Sequence, residues 1–324
     1  MRPRVYVTRK VQQEGLDLLE SVCDVNIWKE DTPVPRSVLL ENVMKIEGLY
    51  VTVLDKIDKE LLESSPELKV VSTYAVGYNN IDVSLCTEKG IPVGHTPGVL
   101  TETTADMAFA LIMAAGRRVV EAATYVRAGK WESWKPDLML GKDIHGSVLG
   151  IVGYGAIGRA VARRALGFNM NVLFYDPYVT KDDKLTDVMR TDLDDLLERS
   201  DYVSLHVPLM DSTYHLIGER ELQLMKPSSV LVNAARGEIV DPAALATALK
   251  TDKLFAAALD VTEPEPIDPD DPLNHLPNCI IVPHIASASL ATRTKMTVMA
   301  AQNLLAGLKG ERLPYCVNPE VYSE

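Results

Sequence analysis

The sequence is short of aromatic residues, cysteine and positive charge. Phe, Trp and Tyr make up 6% of its 324 residues, and only four are cysteine and six histidine. Cys23, Cys86, Cys279 and Cys316 form no CxxC pair and fit no zinc-ligand spacing. Neither a disulfide framework nor a structural zinc is expected; buried, reduced thiols are. The six histidines are too scattered for a metal cluster, so no metal site is predicted. Asp and Glu number 45 against 33 Lys and Arg, a formal charge of −12, which disfavours nucleic acid and anionic membrane as partners. The longest apolar run, Met107 to Ala115, is far too short to span a bilayer. The first residues run into a strand-like segment without a signal-peptide core. A soluble, cytoplasmic protein is therefore expected.

What remains is ordinary globular material, 47% hydrophobic and 24% charged, with a length that suggests about two domains. Short β-rich runs alternate with helical patterns over the first hundred residues, and a second alternating series of about six strands begins at Ser147. Such βα periodicity predicts α/β architecture with parallel sheets. Between the series, a single helix is expected from Glu102 to about Tyr125. It is followed by a tryptophan-bearing stretch with Trp131 and Trp134, read as either an interface arm or a loop on its own domain. A long helix is expected to close the chain at about 286–308.

Gly153-Tyr154-Gly155-Ala156-Ile157-Gly158 is a GxGxxG string. It follows the apolar run Val148–Val152 and opens a helical pattern, the context that gives such a string meaning. Gly153 suits the tight turn, Gly155 lets a pyrophosphate approach the backbone, and Gly158 lets helix pack on strand. Arg159 could add a charge to the phosphates. Asp176 stands eighteen residues past Gly158 at the end of the next strand pattern. A carboxylate there accepts hydrogen bonds from a ribose diol and repels a 2′-phosphate, which predicts NAD(H) over NADP(H).

Three ionisable residues lie just beyond predicted strands: Arg236, Glu265 and His284. In an open parallel sheet, ligands bind outside the carboxyl ends of the strands. An imidazolium can donate a proton to a ketone oxygen, a neighbouring carboxylate favours its charged form, and a guanidinium can clamp a carboxylate. By spacing alone Glu263 rivals Glu265, and His206, also at a strand end, rivals His284.

The glycine fingerprint, Asn233-Ala234-Ala235-Arg236-Gly237, Leu259-Asp260-Val261 with Glu265-Pro266, and Pro283-His284-Ile285 together resemble the D-isomer-specific 2-hydroxyacid dehydrogenase family. Within it, the hinge-like segment 94–106 and Trp131–Pro136 are most similar to the glyoxylate/hydroxypyruvate reductase branch. The resemblance implies two Rossmann-like parallel-sheet domains. One is a flavodoxin-like substrate domain at 1–100 and 291–324; the other is an NAD-binding Rossmann domain at 101–290, with a dimerisation arm at 125–146. It implies Arg236, Glu265 and His284 as catalytic residues, and Val76, Gly77, Arg236 and Trp134 as substrate contacts. Thr104, Val207, Thr213, Ala234, Asp260 and Ser287 are implied to line the cofactor beside the glycine loop, Arg159 and Asp176. The implied activity is NADH-dependent reduction of glyoxylate or hydroxypyruvate to glycolate or D-glycerate by a homodimer, with His284 as proton donor. The alternatives are another D-2-hydroxyacid dehydrogenase, of D-lactate or D-3-phosphoglycerate type, and a catalytically silent NAD sensor.

Overall fold

The computed structural model describes residues 1–182 and 184–323. Asp183 and Glu324, the latter the last residue of the predicted closing segment, lie outside the described residues. The chain forms two compact units, Met1–Leu100 with Ala288–Glu324, and Thr101–Ser287.

The first unit is built on five strands: β1 (Arg4–Val7), β2 (Asp24–Ile27), β3 (Gly48–Val51), β4 (Val70–Thr73) and β5 (Val93–Gly94). All pair in parallel, in the order β2-β1-β3-β4-β5, which is the flavodoxin-type order. Position in the sheet accounts for their composition. Central β3 and β4 are covered on both faces and every residue is buried, whereas edge strand β2, Asp-Val-Asn-Ile, alternates with solvent. Helices α1 (Gln13–Val22), α2 (Arg36–Val43), α3 (Lys59–Glu63) and α4 (Val83–Glu88) fill the crossovers. Asp58 and Asp82 cap the last two by accepting the N–H of Leu61 and Leu85.

The second unit opens on α5 (Thr101–Gly116) and α6 (Val119–Arg127), where one continuous helix was expected. The break has local causes. Gly116 lies so close to Tyr202 that a Cβ would sit 2.5 Å from its hydroxyl. The Gly116 carbonyl accepts the Lys142 N–H at 2.7 Å, and Arg118 turns into the left-handed region at φ 54°. The chain then forms β6 (Val148–Val152), α7 (Ala156–Gly167), β7 (Asn171–Tyr175), β8 (Val188–Arg190), α8 (Leu193–Arg199), β9 (Tyr202–Leu205), α9 (Glu219–Leu224), β10 (Val230–Asn233), α10 (Pro242–Lys250), β11 (Ala256–Leu259) and β12 (Cys279–Ile281). The parallel order β12-β11-β10-β9-β6-β7-β8 is the doubly wound dinucleotide-binding order with one further strand. Six strands were expected; the additional one is the three-residue edge strand β8. The order reverses between β6 and β9, so the crevice that such folds use for ligands lies beyond the carboxyl ends of those two strands.

The last helix, α11 (Leu290–Leu308), returns to the first unit, capped by the Ser289 hydroxyl. It packs on α1 at Gly15, where a Cβ would come within 2.1 Å of Thr297 Cγ2. Among the described residues no helix is long and apolar enough to cross a membrane.

Candidate active site

The glycine loop stands at the reversal point. Gly153 has φ 93°, and a Cβ there would lie 2.6 Å from the backbone of His206 at the end of β9. Gly158 lies against Gly153, with 2.3 Å from its hypothetical Cβ to the Gly153 carbonyl oxygen. Both positions therefore require glycine for packing. Gly155 differs: it is exposed and a Cβ would meet nothing within 4 Å. It forms the N-cap of α7, whose first-turn N–H groups have no carbonyl a turn earlier to bond. Open space over unpaired N–H groups at the positive end of a twelve-residue helix fits a dinucleotide pyrophosphate.

Asp176 follows β7 immediately. One carboxylate oxygen accepts the Tyr154 N–H at 2.8 Å, and the other accepts the N–H groups of Tyr178 and Val179 at 2.8 and 3.0 Å. It thus joins the glycine loop to the turn after β7. Arg159, expected near the phosphates, pairs instead with Asp182 at 2.6 Å. Its guanidinium lies over the Tyr154 ring, which stacks on Phe174 at 3.9 Å. Burial raises the Asp182 carboxyl, but hydrogen bonds from Lys184 and Leu185 and the Arg159 charge outweigh it and hold it below its ordinary value. Asp182 carried no signal in the sequence, because its partner is distant along the chain.

Arg236, Glu265 and His284 all belong to the second unit. Arg236 leaves β10 through a turn folded by buried Asn233, which donates to the Arg236 carbonyl at 2.7 Å and accepts the Ala235 N–H at 3.1 Å. Burial pushes the Arg236 guanidinium down from its ordinary value, and the carboxylates of Glu265 and Glu238 oppose that shift. The Glu265 charge is therefore within electrostatic reach of Arg236. His284 follows β12 with φ 52°, a backbone region that costs a non-glycine residue on the order of 1–3 kcal/mol. Its N–H donates to the carbonyls of Asp260 and Val282 at 2.9 and 3.0 Å. The Asp260 carboxylate receives the next two N–H groups, from Ile285 and Ala286, at 2.7 and 2.9 Å. Those bonds hold the turn in its unusual shape. The imidazole Nδ1 lies 2.6 Å from Glu265 Oε1, both side chains being about 30% exposed (31% and 29%). A carboxylate partner makes Nδ1 the protonated donor.

The two rivals are occupied elsewhere. Glu263 accepts from His215 Nε2 at 2.7 Å and from the Tyr214 hydroxyl at 3.2 Å. His206 Nε2 meets the Ser204 hydroxyl at 2.9 Å, its Nδ1 is enclosed without a partner among the described residues, and burial pushes its pKa down to about 4.

Of the expected cofactor-lining residues, Thr104, Val207 and Ala234 are buried and Ser287 half-buried. Thr213 uses its hydroxyl inside its own loop, donating to Pro208 O at 2.6 Å and accepting the Met210 N–H at 2.8 Å. Asp260 uses its carboxylate on the His284 turn. Val76 and Gly77 follow β4 in the first unit and are half-buried, with the Val76 carbonyl 3.1 Å from His95 Nδ1. Trp134 is 78% exposed.

Residues 109–286 match the model of the D-isomer specific 2-hydroxyacid dehydrogenase, NAD binding domain. The chain is 52% identical over 323 residues to the glyoxylate reductase of Korarchaeum cryptofilum, covering 99% of this chain and 97% of that one. It is 45% identical over 326 residues to the glyoxylate reductase of Thermococcus litoralis, covering 99% and 98%. It also superimposes with a TM-score of 0.85, at 31% identity and 98% coverage of both chains, on the NADPH-dependent glyoxylate/hydroxypyruvate reductase of Sinorhizobium meliloti, solved with NADP and malonate. A nicotinamide cofactor fits the loop that the glycines build, and the chain belongs to the D-isomer specific 2-hydroxyacid dehydrogenase family of oxidoreductases.

Proposed function

We propose that this protein reduces glyoxylate, and hydroxypyruvate as a larger analogue, to glycolate and D-glycerate with NADH, His284 being the proton donor. The observation that carries this reading is the Glu265–His284 pair on the scaffold that presents Arg236. The Arg236 guanidinium grips the substrate carboxylate and polarises the adjacent carbonyl. Bound reduced nicotinamide supplies the hydride to the carbonyl carbon. His284 gives its Nε2 proton to the carbonyl oxygen as the alkoxide develops. Glu265 fixes the ring through Nδ1 and balances the imidazolium charge before the proton leaves. Val76 and Gly77 are proposed to offer backbone N–H groups to a small carboxylate, and Trp134 to contact substrate.

NADH is proposed as the preferred cofactor. Asp176 presents a carboxylate at the end of β7, where the adenosine ribose of a dinucleotide binds in this fold. Arg159, the cation nearest the glycine loop in sequence, is already neutralised by Asp182. The relative from Sinorhizobium meliloti is NADPH-dependent, so the preference rests on these local charges and not on kinship. A homodimer is proposed on α6, which buries none of its residues, and on Trp131, Trp134 and Leu140, which are 59%, 78% and 64% exposed; sedimentation reads this directly. A reducing, cytoplasmic compartment is supported by the four unpaired thiols.

The test is a panel of glyoxylate, hydroxypyruvate, pyruvate and 3-phosphohydroxypyruvate, each with NADH and NADPH. The expected result is the highest kcat/KM with glyoxylate or hydroxypyruvate and about a tenfold preference for NADH, equivalent to about 1.4 kcal/mol. Fastest turnover of pyruvate or the phosphorylated acid would move the protein to another branch of the family, and no oxidation of either nicotinamide would leave a silent binder.

A further inference from the structure

The loop that carries Glu265 carries a second carboxylate two residues earlier, and the structure sends the two in different directions. Glu265 reaches His284 at 2.6 Å, while Glu263 reaches His215 at 2.7 Å and the Tyr214 hydroxyl at 3.2 Å. The two donors to Glu263 form one rigid block, their rings stacked at 4.1 Å and 14°. His215, like His284, has a left-handed backbone, with φ 48°. Its N–H donates to the Glu238 carbonyl at 2.8 Å.

That block is itself laced to the segment after Arg236. Ile217 donates to the Ile239 carbonyl and accepts from the Asp241 N–H, both at 3.0 Å. The same segment touches the Glu263 loop from its other side. A Cβ on Gly237 would fall 2.0 Å from the Thr262 carbonyl oxygen and 2.8 Å from the Glu263 nitrogen. Within the loop, the Thr262 hydroxyl donates to the Pro264 carbonyl at 2.8 Å. An isolated, half-exposed ion pair contributes little. This one closes a ring of contacts through Tyr214–Ile217, Gly237–Asp241 and Thr262–Glu263, and the two free ends of that ring carry Arg236 and Glu265.

We propose that Glu263, His215 and Tyr214 form a positioning network that sets the place of Glu265 relative to Arg236 and His284. None of the three touches substrate; they act through Glu265. The inference rests on the reading of Glu265 as the partner of the proton donor.

The experiment is a double-mutant cycle on the full chain, with NADH and glyoxylate. Glu263→Ala is expected to lower kcat about tenfold, with the KM for glyoxylate within about twofold and NADH affinity by fluorescence titration unchanged. Glu263→Gln, which keeps one acceptor oxygen, is expected to recover part of the loss. In a Glu265→Gln background the same Glu263→Ala change is expected to cost less than about twofold, because the residue it positions is already disabled.

A wild-type kcat in Glu263→Ala overturns the proposal. So does a tenfold loss that persists in the Glu265→Gln background, or a matching fall in NADH affinity, since each marks general loosening of the unit. If Glu263→Ala does not fold, His215→Ala and Tyr214→Phe remove one donor each and enter the same cycle. A Glu265→Gln variant with undiminished kcat refutes the role of Glu265 itself, an outcome distinct from additivity.

Discussion

His284 and His206 stand three residues and one residue past the carboxyl ends of strands in the same sheet, each near a proline, and they have opposite properties. His284 follows edge strand β12 on a left-handed turn, half-exposed, with a carboxylate on Nδ1. His206 follows β9, next to the point where the strand order reverses. Its Nε2 faces the hydroxyl of buried Ser204, its Nδ1 is enclosed, and no charge compensates its burial. A ring that exchanges protons with substrate needs access and a partner for its charged form. His284 has both. His206 is held neutral, and it backs the glycine loop where Gly153 packs on its main chain.

The strongest test of this contrast exchanges the losses. His284→Ala is expected to lower kcat for glyoxylate reduction by about 10²–10⁴-fold, with NADH affinity retained, because the imidazole acts in the transition state. His206→Gln keeps a hydrogen-bonding partner for Ser204 and is expected to stay within a few-fold of wild type. Single-turnover hydride transfer measured beside NADH binding separates chemistry from folding. A dead His206→Gln with an active His284→Ala would reverse the assignment.

Arg236→Lys comes next. An ammonium cannot reproduce the planar fork on a carboxylate. The variant is expected to raise the KM for glyoxylate and lower kcat together, with a fall in kcat/KM on the order of 10²-fold. Unchanged KM would mean that Arg236 acts on the reacting carbonyl alone, and that the carboxylate is held elsewhere.

Residue type was informative where backbone geometry leaves few choices. Gly153 and Gly158 are dictated by close packing, and the GxGxxG string and Asp176 both follow strands where they were expected to. Side-chain partnerships across the chain were not readable. Nothing in Thr262-Glu263-Pro264-Glu265-Pro266 says which carboxylate meets which histidine; loop geometry decides it. The Arg159–Asp182 pair joins residues with no shared periodicity, so nothing in the sequence signalled it. The helix break at Arg118 was hidden because the interruption comes from Tyr202 and Lys142 in other segments. The strand β8 was missed because Val-Met-Arg on an exposed edge shows no alternation to detect.

The smallest effect on activity is also the one that isolates His206 energetically. Burial lowers its pKa from 6.5 to about 4. Between those values the unfolded chain binds a proton at this position and the folded chain does not. Stability therefore falls as pH drops through that window, and the loss is complete below the folded value. The size of the shift implies a contribution on the order of 3 kcal/mol. His206→Gln has no proton to bind in either state. At pH 7.5 it should be slightly less stable than wild type, since the imidazole packs its site better than an amide. On acidification the two urea-unfolding curves should converge and then cross, because other groups titrate equally in both proteins and cancel in the difference. A gap that stays constant from pH 7.5 to pH 4 would show that His206 takes up its proton as readily in the folded chain as in the unfolded one, and its contrast with His284 would then be one of access alone.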